Sequence, residues 1–322
     1  MIPKRLTARK AALAGDERAL AGAIGIILML AVAVTVYAHT VRGNIPVYGE
    51  QAEHAWDERV STAFQDLGRS IAGGISTGAP VTGTIPAPPP PEKISLPFLG
   101  SAGPVAPAGT VAFAPACTRA SVLHTLGSGQ IVTDLAGGSN GCLTFHATTL
   151  YSPPFGYAIE MGGVLRVQGQ SAVILAGPPL QLDPATPTEY RIALALPGLR
   201  GSAASASADS ADVHVDVVPG PSASEVEQEP NAARATWTFD TSHPAAWKTW
   251  LDARFVQAGL VASRASPLPG QSSSDYSIAC VPVDCSTAAG GGQVNVVIEG
   301  PRTDMQDIRL SITYGLADVS IR

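Results

Sequence analysis

From Ala19 to Ala38 the chain reads ALAGAIGIILMLAVAVTVYA, twenty residues without a charge. In a bilayer, about 20 residues at 1.5 Å rise span the roughly 30 Å hydrocarbon core. Lipid offers backbone groups no partner, so a segment lying there is a helix. Gly22 and Gly25 weaken a helix in water but permit close packing of helices in a membrane. Tyr37, near the far end, carries an amphipathic ring that favours an interface. A buried core helix and a cleaved secretory signal are the rival readings. The apolar part of a signal is shorter, about 7–15 residues, and ends at a small-residue cleavage site. Here the run is longer and passes into a helical pattern.

Charge gives the segment a direction. The first 18 residues carry Lys4, Arg5, Arg9, Lys10 and Arg18 against Asp16 and Glu17, a net of +3, and the chain totals −6, so the remainder carries −9. A basic end, an apolar span and an acidic body predict a single-pass chain with a cytoplasmic N-terminus and an extracellular body. The acidic balance also argues against nucleic acid as a partner, which needs a basic footprint. Only 14% of residues are charged, while Gly (33) and Pro (27) are abundant. That mix lowers helix propensity and favours strands joined by many turns.

Past the apolar run, Ala52, Trp56, Val60, Phe64, Leu67 and Ile71 recur at spacings of four, four, four, three and four. This is an apolar stripe on one helix face, with Glu53, Asp57, Glu58 and Asp66 read as lying elsewhere. Pro46 is expected to kink or briefly interrupt the connection. The expectation is a transmembrane and stalk helix over residues 20–72, apolar all round first and amphipathic afterwards, behind a cytoplasmic leader over residues 1–19.

The stretch from Asp16 to Met29, DERALAGAIGIILM, resembles the N-terminus of archaeal type IV pilins. That family has a charged leader ending in an acidic-Arg-Ala group, then an apolar helix with an Ile-Gly pair and an Ile-Leu-Met-like run. The resemblance implies that a prepilin peptidase cuts beside Arg18, between Ala19 and Leu20. It makes Leu20, Gly22, Ile24, Gly25, Ile26, Ile27, Leu28, Met29 and Leu30 the start of the mature anchor. It also implies other pilin subunits as partners, because in this family the apolar helix packs with its equivalents in a filament core. The chain has Ala21-Gly22 where the family often has Ser-Pro. The likeness covers about 60 residues; beyond them there is only a general likeness to large-headed members.

Residues 73–92, GGISTGAPVTGTIPAPPPPE, read as a semi-rigid spacer, and the boundary between stalk and head is placed over residues 73–94. The head, residues 95–322, shows period-two alternation in Asp212–Val217, Thr236–Phe239, Gln293–Val296 and Asp307–Ile312. Such segments bury one face, as antiparallel strands do. Tyr157–Ile159, Val164–Val167, Ala172–Leu175 and Tyr190–Leu196 add further strands, with Gly162-Gly163 suited to a hairpin turn. Gly201–Ser210 and Glu225–Pro230 read as exposed loops. Ser242-His243-Pro244 begins a helix carrying Trp247, Trp250, Leu251, Phe255 and Ala258 on one face, with Gly259 as its stop. The fold class expected is α+β: a long N-terminal helix and a mainly antiparallel, sandwich-like head with one helix.

The four cysteines, Cys117, Cys142, Cys280 and Cys285, lie on the outer side of the anchor, where disulfides persist. Three connectivities are possible. Nearness in sequence and flanking turn residues favour Cys117–Cys142 and Cys280–Cys285. Spacing for a zinc site is absent, and neither a metal nor a cofactor is expected. Gly74-Ile75-Ser76-Thr77-Gly78 spells a nucleophile elbow, but that motif needs a strand before it and a helix after it. Cys117 with His124 as a thiol–imidazole pair, and Asp304 with Asp307 as cation ligands, are weaker readings than a structural cysteine and solvated carboxylates. No catalytic role is assigned. The reading is a pilin-like structural or adhesion subunit, set against a membrane-tethered binding or envelope protein and a tethered surface enzyme.

Overall fold

The computed structural model describes residues 5–89, 95–96, 100–101, 107–126, 129–186, 189–209, 212–227, 232–263, 274–281, 285, 291–299 and 307–322. Helix α1 spans Arg5–Thr77. It is followed by β1 (Val81–Ile85), the short pair β2 (Ser95–Leu96) and β3 (Gly100–Ser101), and the long pair β4 (Ala108–Leu126) and β5 (Gly129–Thr148). Next come β6 (Phe155–Glu160), β7 (Gly163–Gln168), β8 (Ser171–Ala176), β9 (Leu180–Thr186), β10 (Glu189–Arg200) and β11 (Ala204–Ser207). The chain continues through β12 (Val213–Glu227), β13 (Ala232–Thr241), helix α2 (Pro244–Gln257), β14 (Tyr276–Val281), β15 (Gly292–Ile298) and β16 (Asp307–Ile321). The chain forms two compact units, Met1–Ala52 and Glu53–Arg322. The architecture is α+β, an N-terminal apolar helix followed by a mostly antiparallel, mixed β domain.

In the second unit the main path of the sheet is β1-β12-β16-β10-β5-β4-β13-β15-β14. β11 joins β4, β9 joins β10, and the β6-β7-β8 meander extends from β5. β10 and β16 run parallel, whereas the other described pairings are antiparallel. Among the described residues β10 meets β5 through one registered pair, Leu199 with Gly141, so the two halves of the sheet are joined narrowly there.

Alternation aims side chains at two large apolar cores, besides a small cluster of Ala158, Leu165 and Ala246. Val213, Val215 and Val217 of β12 are buried in one, with Ile85, Phe113, Leu143, Phe145 and Tyr157. Val294, Val296 and Ile298 of β15 are buried in the other, with Trp237, Phe239 and Tyr190. α2 closes this second core with Trp247, Leu251 and Phe255, its proline at the first turn and Gly259 at φ 83 past its end. The two tryptophans of α2 meet edge to face at 5.7 Å, and Trp247 is packed inside the core.

The stripe Trp56, Val60, Phe64, Leu67 and Ile71 is buried as a row, within the first core of the β unit. The amphipathic part of α1 is therefore an inner element of the head and not a free stalk. The supposed spacer differs too. α1 runs to Thr77, and Val81–Ile85 forms β1 against Val217–Val213 of β12, with Ile85 fully buried. Trp56 Nε1 donates to the Pro86 carbonyl at 3.0 Å, which ties the same stretch to the helix. Threonine, valine and isoleucine at alternate positions outweigh the neighbouring glycines and prolines here. Pro90 to Lys93 lie outside the described residues.

Other local expectations are corrected. α1 is continuous through Pro46, so the helix is not interrupted there. The hairpin turn falls one residue earlier, on Met161 and Gly162, at φ 48 and 77, the pair of positive values a two-residue primed turn needs. Gly163 instead opens β7 where a Cβ would lie 2.8 Å from the Trp247 ring. The supposed loop Gly201–Ser210 contains β11, paired with Thr110–Phe113 of β4. Glu225, Val226 and Glu227 belong to β12, opposite Thr313, Ile312 and Ser311.

Candidate functional site

The first unit offers one candidate surface. Over Gly22–His39 the mean hydropathy is 2.0 and every residue is exposed. Ile26 is 70% and Met29 76% exposed, and Ile24, Ile27, Leu28 and Leu30 are similarly open. Nothing lies within 4 Å of a Cβ built on Gly22 or Gly25. Thr35, the one hydroxyl in the run between Gly22 and Val36, donates to the Ala31 carbonyl at 2.7 Å, so it too is satisfied within the helix. The helix is long and apolar enough to cross a membrane. Arg18, Ala19 and Leu20 lie in α1, and their side chains are outside the described residues.

In the second unit, the polar groups that α1 carries into the head form two clamps. The Glu53 carboxylate accepts from the backbone N–H groups of Leu150, Tyr151 and Ser152 at 2.7, 3.0 and 2.7 Å, and from the Ser152 hydroxyl at 2.8 Å. Asp57 accepts from the Tyr157 hydroxyl on one oxygen and the Arg166 guanidinium on the other. Burial, reinforced by the bond to Asp57, pushes the Tyr157 phenol well above its usual range. It is held as a neutral donor. Arg166 Nε is buried without a partner. A shallow depression of about 390 Å³ opens here, lined by Asp57, Glu58, Ser61, Tyr157, Arg166 and Leu175. Asp57 and Arg166 are committed to joining α1 to β6 and β7, and no nucleophile–base pair is formed among these lining residues.

Glu53 and Asp57, read as lying off the apolar stripe, are both buried, at 2% and 9% exposed. A signal for Glu53 was present: at about 100° per residue it falls inside the arc swept by Trp56 to Ile71. Asp57 sits just beyond that arc. Arg166 and Glu160 are singled out by no motif and come together with their partners only through strand pairing.

The cysteines pair as Cys117–Cys142, with Cα atoms 5.8 Å apart, and Cys280–Cys285, at 5.3 Å. With Cys117 in a disulfide there is no thiol–imidazole pair with His124. Glu160 stands beside the first bridge, its oxygen and both sulfurs within 4.8 Å of one another. The sulfurs are bonded to each other, so this trio is not a ligand set as it stands. Ser76 donates to the Gly73 carbonyl at 2.8 Å on the last turn of α1, and Gly78 follows at φ 72 as a left-handed helix end. The elbow spelling is thus a helix terminus. Asp304 lies outside the described residues, and Asp307 opens β16.

No family model matches the chain. No curated protein matches it either. Among solved structures, a cycloalternan-degrading enzyme from Trueperella pyogenes aligns with 72% of this chain and 34% of its own, at 9% identity and a TM-score of 0.08. A likeness that slight carries no argument about fold or activity.

Proposed function

We propose that the chain is a pilin-like structural or adhesion subunit, the membrane-anchored precursor of an archaeal type IV pilus-like filament, in a minor or tip position. The observation that carries this reading is the division of labour along α1. One stretch of the helix, Gly22–His39, presents apolar side chains with nothing over them, while Trp56–Ile71 supplies a row of the head's core. A segment with that composition needs lipid or equivalent helices around it, and filament assembly exchanges the first for the second. The Glu17-Arg18-Ala19 group directly before the uncharged run, shared with archaeal pilins, supports a peptidase site between Ala19 and Leu20. The N-terminus is cytoplasmic and the head extracellular, in keeping with the net charge of the leader and with two disulfides in the head. The head is read as sandwich-like because strands from both halves of the sheet line the same cores.

The leader must go before assembly, because moving one Arg to a bilayer centre costs about 2.5–3.5 kcal/mol on insertion scales and five basic residues precede the run. Mass spectrometry of the native N-terminus tests the proposal. A mature chain beginning at Leu20 is expected, with a longer membrane-trapped precursor when Arg18 and Ala19 are replaced by acidic or bulky residues. A native chain that keeps residues 1–19 and still functions makes the protein a tethered binder instead.

A further inference from the structure

The Cys117–Cys142 bridge is asymmetric. Cys142, on β5, is 4% exposed, while Cys117, on β4, is only partly buried. The register of β5 on β6 pairs Leu143 with Ile159, so Cys142 and Glu160 are the next residues along these two strands. Glu160 is 1% exposed. Its Oε1 accepts from the Trp247 indole N–H at 2.6 Å and from the Thr241 hydroxyl, both themselves buried. Two donors on one oxygen fix the carboxyl group in place and suit the acceptor-only carboxylate. That carboxylate and the two sulfurs lie within 4.8 Å of one another.

We infer that Glu160 is an electrostatic guard that makes the Cys117–Cys142 disulfide slow to open by external thiols. Exchange begins when an incoming thiolate attacks one sulfur in line and the other leaves with the electron pair. Access favours attack on the Cys117 sulfur, which forms the mixed disulfide. The Cys142 sulfur then departs as a thiolate into a buried space already holding a carboxylate. A second equivalent of thiol resolves the mixed disulfide at its outer sulfur, giving two protein thiols and one oxidised reductant. The repulsion acts on the departing sulfur during the first step. Like charges at this spacing in a poorly screened site interact strongly enough to slow that step about tenfold, with roughly half a charge developed on the sulfur. The guard is independent of any role in a filament. It preserves the cross-link between the irregular stretch of β4 around Cys117 and β5, where pairing skips from Ala114 to Thr118.

The test treats the full-length chain in detergent with glutathione, alkylates thiols over time and maps them by peptide mass spectrometry. Cys280–Cys285 is the internal reference. In Glu160→Gln the opening of Cys117–Cys142 is expected to accelerate about tenfold while Cys280–Cys285 keeps its rate, and the trapped adduct sits on Cys117. Thr241→Val, which removes a donor but keeps the charge, is expected to leave both rates within about twofold of the native chain. An unchanged rate in Glu160→Gln overturns the inference. So does equal acceleration in Thr241→Val, which would assign the effect to loosened packing, or an adduct found on Cys142.

Discussion

Glu53 illustrates what a single side chain contributes at the start of the head. It satisfies three successive backbone N–H groups and one hydroxyl in the Leu150–Ser152 turn. Without it those donors are left in a part-buried place, and an orphaned buried donor costs about 1–3 kcal/mol. Glu53→Ala is therefore expected to destabilise the head by about 3 kcal/mol in urea unfolding, with the slope on denaturant unchanged. A loss under about 0.5 kcal/mol would mean that water replaces the carboxylate and that the clamp is not needed. Arg200 and Asp318 make a contrasting, exposed pair at 2.6 and 2.9 Å, and exposed pairs of this kind contribute little.

At the scale of elements, the part of α1 after Ala52 belongs with the sheet. Trp56, Val60, Phe64, Leu67 and Ile71 meet Phe145, Phe155 and Tyr157 in one aromatic-rich core, with Trp56 edge-on to Phe145 at 5.8 Å. Removing one such ring costs about 3–5 kcal/mol, so losing the whole row exceeds the stability of an ordinary domain. A chain starting at Glu53 is expected to fold, with cooperative thermal unfolding and near-ultraviolet dichroism. One starting at residue 95 is expected to aggregate or stay unfolded. If the shorter chain folds as cooperatively as the longer one, the helix is an attachment and not a core element. The alternation in β12 and β15 was legible in the sequence because one face of each strand is dry and the other wet. The place of β1 was not. Val81–Ile85 does alternate, but five residues with a glycine at their centre and prolines on either side read as turn, and β12 alone supplies their partner.

At the scale of the whole head, four phenols are enclosed. Tyr157, Tyr190, Tyr276 and Tyr314 are each at most 5% exposed. Burial pushes the Tyr190 phenol up to about 12, with Asp183 and Asp275 adding to the rise, and the other three move further in the same direction. In the unfolded chain these groups ionise near 10.0. Above that pH the unfolded state sheds protons that the folded state keeps, so stability is whole below pH 10 and falls as pH rises towards 12. Alkaline unfolding in this window, with phenolate absorbance appearing together with loss of structure, is the expected result. Phenolate absorbance complete near pH 10 in a head that stays folded would contradict the enclosure of these rings.

By itself the sequence determined the features that depend on near neighbours along the chain. The uncharged run Ala19–Ala38, the stripe Trp56–Ile71, the alternating strands and α2 are all written in spacings of two or of three and four. The disulfide partners were legible as a preference for the same reason, each pair being close in sequence. Tertiary structure alone decided what the stripe packs against, which strands share a sheet, and where each buried carboxylate finds its donors. Asp57 meets Tyr157 and Arg166 about a hundred residues away. Glu160 meets Trp247 at a separation of 87 residues and comes beside a bridge whose two cysteines lie on different strands. A carboxylate on a helix or strand reads as solvated until its partners are known, because local pattern records which residues prefer water and not which distant donors can replace it.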